Sequence, residues 1–357
     1  MSRYFSKKFA HLTPYVPGEQ PKDMKYLKLN TNESPFEPVP EAASAVADAA
    51  ERLMLYSDPE STVLVKRLAE IYGSDKNEII VSNGSDEVLN FAFSAFCDDE
   101  HPAVFADITY GFYKVFAQYN RVPYREIPLR DDFSMDVDAL AEANGTLFIA
   151  NPNAPTGIVL SLDDIEKLVR SDPSRVVVVD EAYIDFGGES AVSLTRKYNN
   201  LLVTQTFSKS RSLAGARLGY GMGCADLIAD LKTIQYSTNP YNVNSLTAAA
   251  ALAVLNNEER TKASCRMIAD TRERASERLR EMGFSLTPSA ANFIFAAHSK
   301  ITGKALYEKL KARGVLVRHF DIDRIAVYNR ITVGTVEQME ILCEKIKEIL
   351  EEENANV

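Results

Sequence analysis

From residue 78 onward, short runs of uninterrupted apolar and β-branched residues recur along the chain: EIIVS (78–82), AVFAD (103–107), TLFIAN (146–151), RVVVVDEA (175–182) and NLLVTQTF (200–207). Stretches with the apolar spacing of amphipathic helices separate most of them. A strand with one solvated face alternates apolar and polar residues, whereas these runs are apolar throughout, so both of their faces need cover. The pattern predicts an α/β large domain, with a mostly parallel central sheet flanked by helices. In such sheets ligands bind beyond the carboxyl ends of the strands, which makes the residues after each run the ones to inspect.

Before the first run, residues 1–40 hold Pro14, Pro17, Pro21, Pro35, Pro38 and Pro40. Proline breaks both helices and central strands, so this segment reads as an ordered arm or loop. Helices are predicted from Glu41 (EAASAVADAAERL) and after Ser61 (STVLVKRLAEIYG), the second stopped at Gly73. After Asn244 a long helical tract, SLTAAAALAVL and then ERTKASCRMIADTRERASERLREMG, leads into a region where NFIFAA (292–297), VLVR (315–318) and NRITV (329–333) alternate with helices. The expected organisation is an arm over 1–40 that joins the small domain and the substrate site, a large domain over 41–244, and a connecting helix with a smaller α+β domain over 245–357. The acidic end EEENANV is expected to fray.

Composition narrows the class. A chain of 357 residues that is 46% hydrophobic and 25% charged is an ordinary globular protein of roughly two domains. A formal charge of −10 disfavours nucleic acid and anionic membranes as partners, although arginines inside a cleft can still bind a small anion. Cys97, Cys224, Cys265 and Cys343 lie too far apart for a zinc spacing, and no metal is expected. No run approaches the roughly 18 apolar residues of a membrane span, and MSRYFSKKFAHLTPY lacks a signal-peptide core, so a cytoplasmic location is expected.

Four strand ends carry the chemistry. After EIIVS, Gly84, Ser85 and Asp86 open a helix, and its free N–H groups form either an anion site or an ordinary N-cap. After TLFIAN, the turn NPNAPTG holds Asn151 and Asn153 between prolines; as bare sequence it is only a turn. Asp180 ends four valines, and a carboxylate there is costly to bury without a cation or a strong donor. A protonated heterocyclic nitrogen would satisfy it, with Tyr183 on the same edge; capping of the next element is the alternative. Finally, TQTFSKSRSLAGARLGYG gathers Thr206, Ser208, Lys209, Arg211 and Arg217, where cations and hydroxyls ease deprotonation of an amine and suit a phosphate. The glycines of GYGMG imitate half a dinucleotide fingerprint but sit past mid-chain, and they read instead as a strand that another backbone approaches closely.

Taken in order, LTPYVPG at Tyr15, LKLNTNESP at Asn32, LYSDPES at Tyr56, SNGSDE, ITYGFY at Tyr110, NPNAPTG, DEAYIDF, TFSKSRSLAGARLGY, ANFIF at Asn292 and NRITVGT at Arg330 span nearly the whole chain. They resemble the fold-type I pyridoxal-phosphate enzymes, most closely the histidinol-phosphate aminotransferase family. The resemblance implies pyridoxal 5'-phosphate joined to Lys209, which afterwards moves the proton between the substrate α-carbon and the cofactor. It implies Asp180 on the ring nitrogen, Tyr183 on the ring hydroxyl and Tyr110 stacked on the ring. The phosphate falls to Ser85, Asp86, Thr206, Ser208 and Arg217, with Tyr56 reaching across a homodimer. Arg330 would take the donor carboxylate, with Tyr15, Asn32 and Arg318 near the substrate. One departure is Ala154, where the family carries an asparagine that bonds the ring hydroxyl; Asn153 is taken as its replacement, with Asn151 as the other choice.

The implied reaction is transamination between histidinol phosphate, or a similar phosphorylated or aromatic amine, and 2-oxoglutarate in histidine biosynthesis. A threonine-phosphate decarboxylase-like lyase and an aromatic amino acid aminotransferase on the same scaffold remain alternatives. So does a sensor that binds the cofactor without turnover, which the acidic charge and the lack of a DNA-binding segment disfavour.

Overall fold

The computed structural model describes residues 2–355. The arm contributes a two-residue strand, β1 (Leu27–Lys28). Seven strands then build the main sheet: β2 (Ile79–Ser82), β3 (Ala103–Ala106), β4 (Tyr124–Ile127), β5 (Thr146–Ala150), β6 (Val177–Asp180), β7 (Leu201–Thr206) and β8 (Gly219–Met222). Their order is β2-β8-β7-β6-β5-β3-β4, and β8 alone runs against the others. β5, β6 and β7 are buried along their whole length, as their unbroken apolar runs require. β4 escapes the pattern because YREI is an edge strand with two exposed polar residues.

Helices cover both faces of this sheet. On one face, Phe93 from the helix Ser85–Phe96 stacks on Phe148 at 3.9 Å, beside Phe105 and Tyr113. On the other, Leu168 and Val169 from the helix Leu162–Ser171 pack with Val177, Val203 and Leu201. The remaining strands, β9 (Phe284–Leu286), β10 (Phe293–His298), β11 (Val315–Leu316), β12 (Arg318–His319) and β13 (Tyr328–Thr332), lie beyond the 24-residue helix Glu258–Glu281. β12, β13, β10 and β9 form a four-stranded antiparallel sheet. β1 of the arm pairs in parallel with β11, Leu27 opposite Val315, so the proline-rich segment is tied to this C-terminal sheet region rather than free.

The acidic end does not fray as far as expected. The last helix runs Val336–Ala355, with Glu352 on Arg313 at 2.6 Å and Glu353 on Lys309 at 2.6 Å; Asn356 and Val357 lie outside the described residues. Among the described residues no helix is long and apolar enough to cross a membrane.

The glycines of β8 have a steric reason. A Cβ on Gly219 would stand 2.1 Å from the Ser85 backbone nitrogen and 2.5 Å from the Gly84 carbonyl carbon, neither of which can yield. Gly219→Ala should therefore cost about 1–3 kcal/mol by overpacking, seen as a lower midpoint in urea unfolding. It should also spoil anion binding at the helix N-terminus, since β8 and that terminus would be pushed apart.

Candidate active site

The carboxyl ends of the parallel strands and the amino end of β8 surround a cavity of about 270 Å³. The arm and the paired strands β12 and β13 close it from the other side, through Tyr15, Thr31, Arg318 and Arg330. Arg318 and Arg330 are register partners and so project from the same face of their sheet. Of the residues to which the resemblance assigns a role, all line this cavity except Asn32, Asn153 and Tyr56.

At one end is a cup with the makings of a phosphate site. Ser85 and Asp86 begin the helix Ser85–Phe96, so their N–H groups precede any intrahelical acceptor and sit at the positive end of its dipole. Gly84 turns into it at φ +85°, where a Cβ would come within 2.8 Å of Arg217 Nη2. Arg217 lies with Nη1 3.3 Å from Ser208 Oγ and Nη2 3.2 Å from Asp86 Oδ2. Tyr110 donates to the other Asp86 oxygen at 2.7 Å. Thr206 Oγ1 accepts from the Ser208 N–H at 3.1 Å, completing a rim of hydroxyls around one guanidinium.

Asp180 stands at the end of β6, 5% exposed. Burial, and next the nearby Asp86, push its carboxyl up to about 7, against hydrogen bonds from Tyr113, the Ala182 N–H and Thr204. Among the described residues, the main groups acting on it include no cation. A cationic donor brought into the cavity would reverse that balance and hold the carboxylate charged.

Lys209 Nζ donates to the Thr31 carbonyl at 3.1 Å and lies 5.7 Å from the centre of the Tyr183 ring. Asp185 ties these two groups together, accepting at Oδ2 from Ser210 Oγ at 2.5 Å and from Arg211 Nη1 at 3.3 Å. The turn bearing Lys209 is thereby fixed to the turn bearing Tyr183. Tyr183 packs edge-on against Phe293 and accepts from Asn32 Nδ2 at 3.0 Å, which leaves its own proton free for the cavity. Asn32 acts through Tyr183 rather than from the cavity wall. Thr332 and Asn292 lock it: Thr332 Oγ1 accepts from the Asn32 N–H at 2.9 Å, and Asn292 Nδ2 donates to the Asn32 carbonyl at 3.0 Å.

Arg330 donates to the Asn30 carbonyl at 3.1 Å, while its buried Nε has no partner among the described residues. Burial lowers its pKa from the ordinary value. Arg318 is turned to the carbonyls of Pro17 and Val16, at 3.3 and 3.2 Å. Tyr15 stacks on Phe112 at 4.2 Å, giving that end an aromatic wall. With Lys209, Arg217, Arg318 and Arg330 set against Asp86 and Asp180, the cavity is locally basic inside an acidic protein.

Asn153 is not brought to the cavity, and Tyr56, expected to act on a partner copy, lies outside the cavity of its own chain. Asn153 turns away, its Oδ1 accepting from Thr109 at 2.7 Å and its Nδ2 donating to the Ile108 carbonyl at 3.0 Å and to Thr156 at 3.1 Å. Its amide is consumed in holding the turn, and the neighbouring Ala154 lines the cavity instead. Asn151 is likewise used, accepting from the Leu160 N–H at 2.8 Å. Tyr56 is 84% exposed and stacks on Tyr241 at 4.6 Å, outside the cavity of its own chain. Tyr113, Phe112 and Thr31 are the neighbours that the sequence reading passed over. Phe112 and Tyr113 lay inside ITYGFY, two and three residues beyond Tyr110.

Residues 24–346 match the family model for aminotransferase class I and II. The chain belongs to this aminotransferase family. It is 45% identical over 352 residues to a histidinol-phosphate aminotransferase of Brachyspira hyodysenteriae, covering 98% of this chain and 99% of that one. A histidinol-phosphate aminotransferase of Marinomonas sp. is 48% identical over 353 residues, with 97% and 99% coverage. The fold matches a solved histidinol-phosphate aminotransferase from Sinorhizobium meliloti, in complex with pyridoxal-5'-phosphate, at a TM-score of 0.88 and 23% identity, covering 98% of this chain and 99% of that one. Among the described residues of this aminotransferase, no cluster of three or more His, Cys, Asp or Glu could hold a metal.

Proposed function

We propose that this aminotransferase uses pyridoxal 5'-phosphate to move an amino group between histidinol phosphate and 2-oxoglutarate, a step of histidine biosynthesis carried out in the cytoplasm. The observation that carries the reading is the placement of one amine, one buried carboxylate and one phosphate-type cup around a single cavity. The near full-length identity to histidinol-phosphate aminotransferases supports the choice of substrate.

When bound, the cofactor supplies an aldehyde carbon for amine exchange and a ring that draws electrons from the substrate α-carbon. Lys209 would hold that carbon, and its free amine would take and return the proton at the substrate α-carbon. Asp180 would hold the ring nitrogen and keep it protonated. Tyr183, oriented by Asn32, would donate to the ring hydroxyl, and Tyr110 would pack against the ring. The N–H groups of Ser85 and Asp86, with Thr206, Ser208 and Arg217, hold the phosphate. Arg330 grips the donor carboxylate, and Arg318 and Tyr15 meet the far end of the substrate.

A homodimer completes this reading. Leu53, Met54, Leu55 and Tyr56 form an exposed apolar run, 56 to 84% accessible, that a second copy would cover. Tyr56 would then extend toward that copy's phosphate cup.

Purified protein with pyridoxal phosphate, glutamate and imidazole-acetol phosphate should release 2-oxoglutarate; no release would overturn the assignment. Carbon dioxide from threonine phosphate would favour the lyase, and faster turnover of phenylpyruvate would favour the aromatic enzyme. Arg330→Ala should raise the glutamate KM by about 10–100-fold through loss of paired charge-assisted hydrogen bonds. Arg330→Lys should recover only part of this, since an ammonium cannot reproduce the planar fork.

A further inference from the structure

We propose that Tyr113 is a positioning residue for this reaction: from behind the cavity wall, its phenol hydroxyl holds Asp180 as a carboxylate aimed into the cavity. The inference rests on the reading of Asp180 as the partner of the cofactor ring nitrogen.

Tyr113 is wholly buried in the helix Phe112–Asn120 and does not line the cavity. Its ring sits among Phe93, Phe105 and Phe148, with centroids 6.3, 5.8 and 5.9 Å away, and edge-on to Tyr110 at 5.7 Å. A phenylalanine would fill this aromatic core without burying a hydroxyl, and a buried hydroxyl is costly unless it is bonded. Its hydrogen bond runs to Asp180 Oδ2, at 3.2 Å. The other two donors to Asp180, the Ala182 N–H at 3.3 Å and Thr204 Oγ1 at 3.4 Å, both address Oδ1. Oδ2 therefore depends on Tyr113 alone among the described protein groups.

Burial, with Asp180 next, raises the Tyr113 pKa well above its ordinary value, so the phenol keeps its proton and acts only as a donor. A donor favours the ionised carboxyl; without it, burial and Asp86 favour the acid. A neutral carboxyl cannot hold a ring nitrogen protonated. The other charged or titratable groups around Asp180 include Asp86 on the helix Ser85–Phe96, Tyr110 in the loop before the helix Phe112–Asn120, Tyr183 on the following turn, and Lys209 and Arg217 on the cavity wall.

Tyr113→Phe keeps the ring and removes the O–H. Without cofactor, the raised carboxyl of Asp180 contributes stability at low pH that is lost as pH climbs through its folded pKa. Removing the donor lifts that pKa further, so the melting temperature of the variant should keep falling to a higher pH than in the wild type. With cofactor bound, kcat should fall about tenfold while the KM for glutamate holds. In an Asp180→Asn background, Tyr113→Phe should change neither quantity. A wild-type pH course in the cofactor-free variant, or the same shift persisting in the Asp180→Asn background, where the side chain is a neutral amide, would overturn the proposal. A shifted pH course with unchanged kcat would instead overturn the assignment of Asp180 to the ring nitrogen, and the role of Tyr113 in the reaction with it.

Discussion

Lys209→Ala should lower amino transfer by about 10⁴-fold or more and abolish the visible absorbance that a bound aldehyde cofactor acquires on joining an amine. Lys209 is the lysine that lines the cavity, and its amine faces a backbone carbonyl at 3.1 Å rather than a carboxylate. A neutral amine is needed twice, first as a nucleophile and then as a base, so charge alone cannot replace it. Lys209→Arg separates the two properties: it keeps the cation but cannot be deprotonated in a protein, and it should be as inactive as the alanine variant. A small primary amine added to Lys209→Ala should restore part of the proton transfer, because the space left by the side chain opens into the cavity. Persistence of the absorbance in Lys209→Ala would show that the cofactor is carried elsewhere, and the assignments of Asp180, Tyr183 and the phosphate cup would fall with it.

How much of this site could be read in advance follows from how it is built. The strands β2, β5, β6 and β7 are buried on both faces, so their apolar runs announce them, and the chemistry sits where each run stops. Lys209, Asp180, Ser85 and Arg217 were legible for that reason. Contacts between distant segments were not. Asn32 is locked by Thr332 across 300 positions and by Asn292 across 260, and no local pattern in LKLNTNESP reveals that its side chain serves Tyr183. Side-chain direction within a turn was equally hidden: Asn153 and Ala154 are neighbours, yet the first is spent on Thr109, Ile108 and Thr156 while the second faces the cavity. Tyr113 was missed because a tyrosine within an aromatic helix reads as core, and only its hydroxyl's approach to Asp180 distinguishes it.

Asp180→Asn should separate activity from the stability of the bare protein. The substitution keeps shape and an accepting oxygen but removes the charge, so with cofactor bound kcat should fall by about 10²–10³-fold, the range for losing one preorganised electrostatic partner. Cofactor affinity should fall with it. In the cofactor-free protein the effect has the opposite sign. The carboxyl of Asp180 is raised from 3.8 to about 7, chiefly by burial. Its contribution to stability is therefore complete below the unfolded value and is lost as pH rises through about 7. An amide does not titrate, so Asp180→Asn should lose less stability than the wild type between about pH 4 and pH 8, as measured by urea unfolding at each pH. Saturating cofactor should cancel that advantage, because a cation on the carboxylate offsets the desolvation that the bare site leaves exposed. An Asp180→Asn protein as active as the wild type, or one whose stability tracks the wild type through the same range, would mean that the carboxylate is a cap for the following turn. The buried charge at the end of β6 is thus a cost to the empty fold that is recovered only when a cation is held against it.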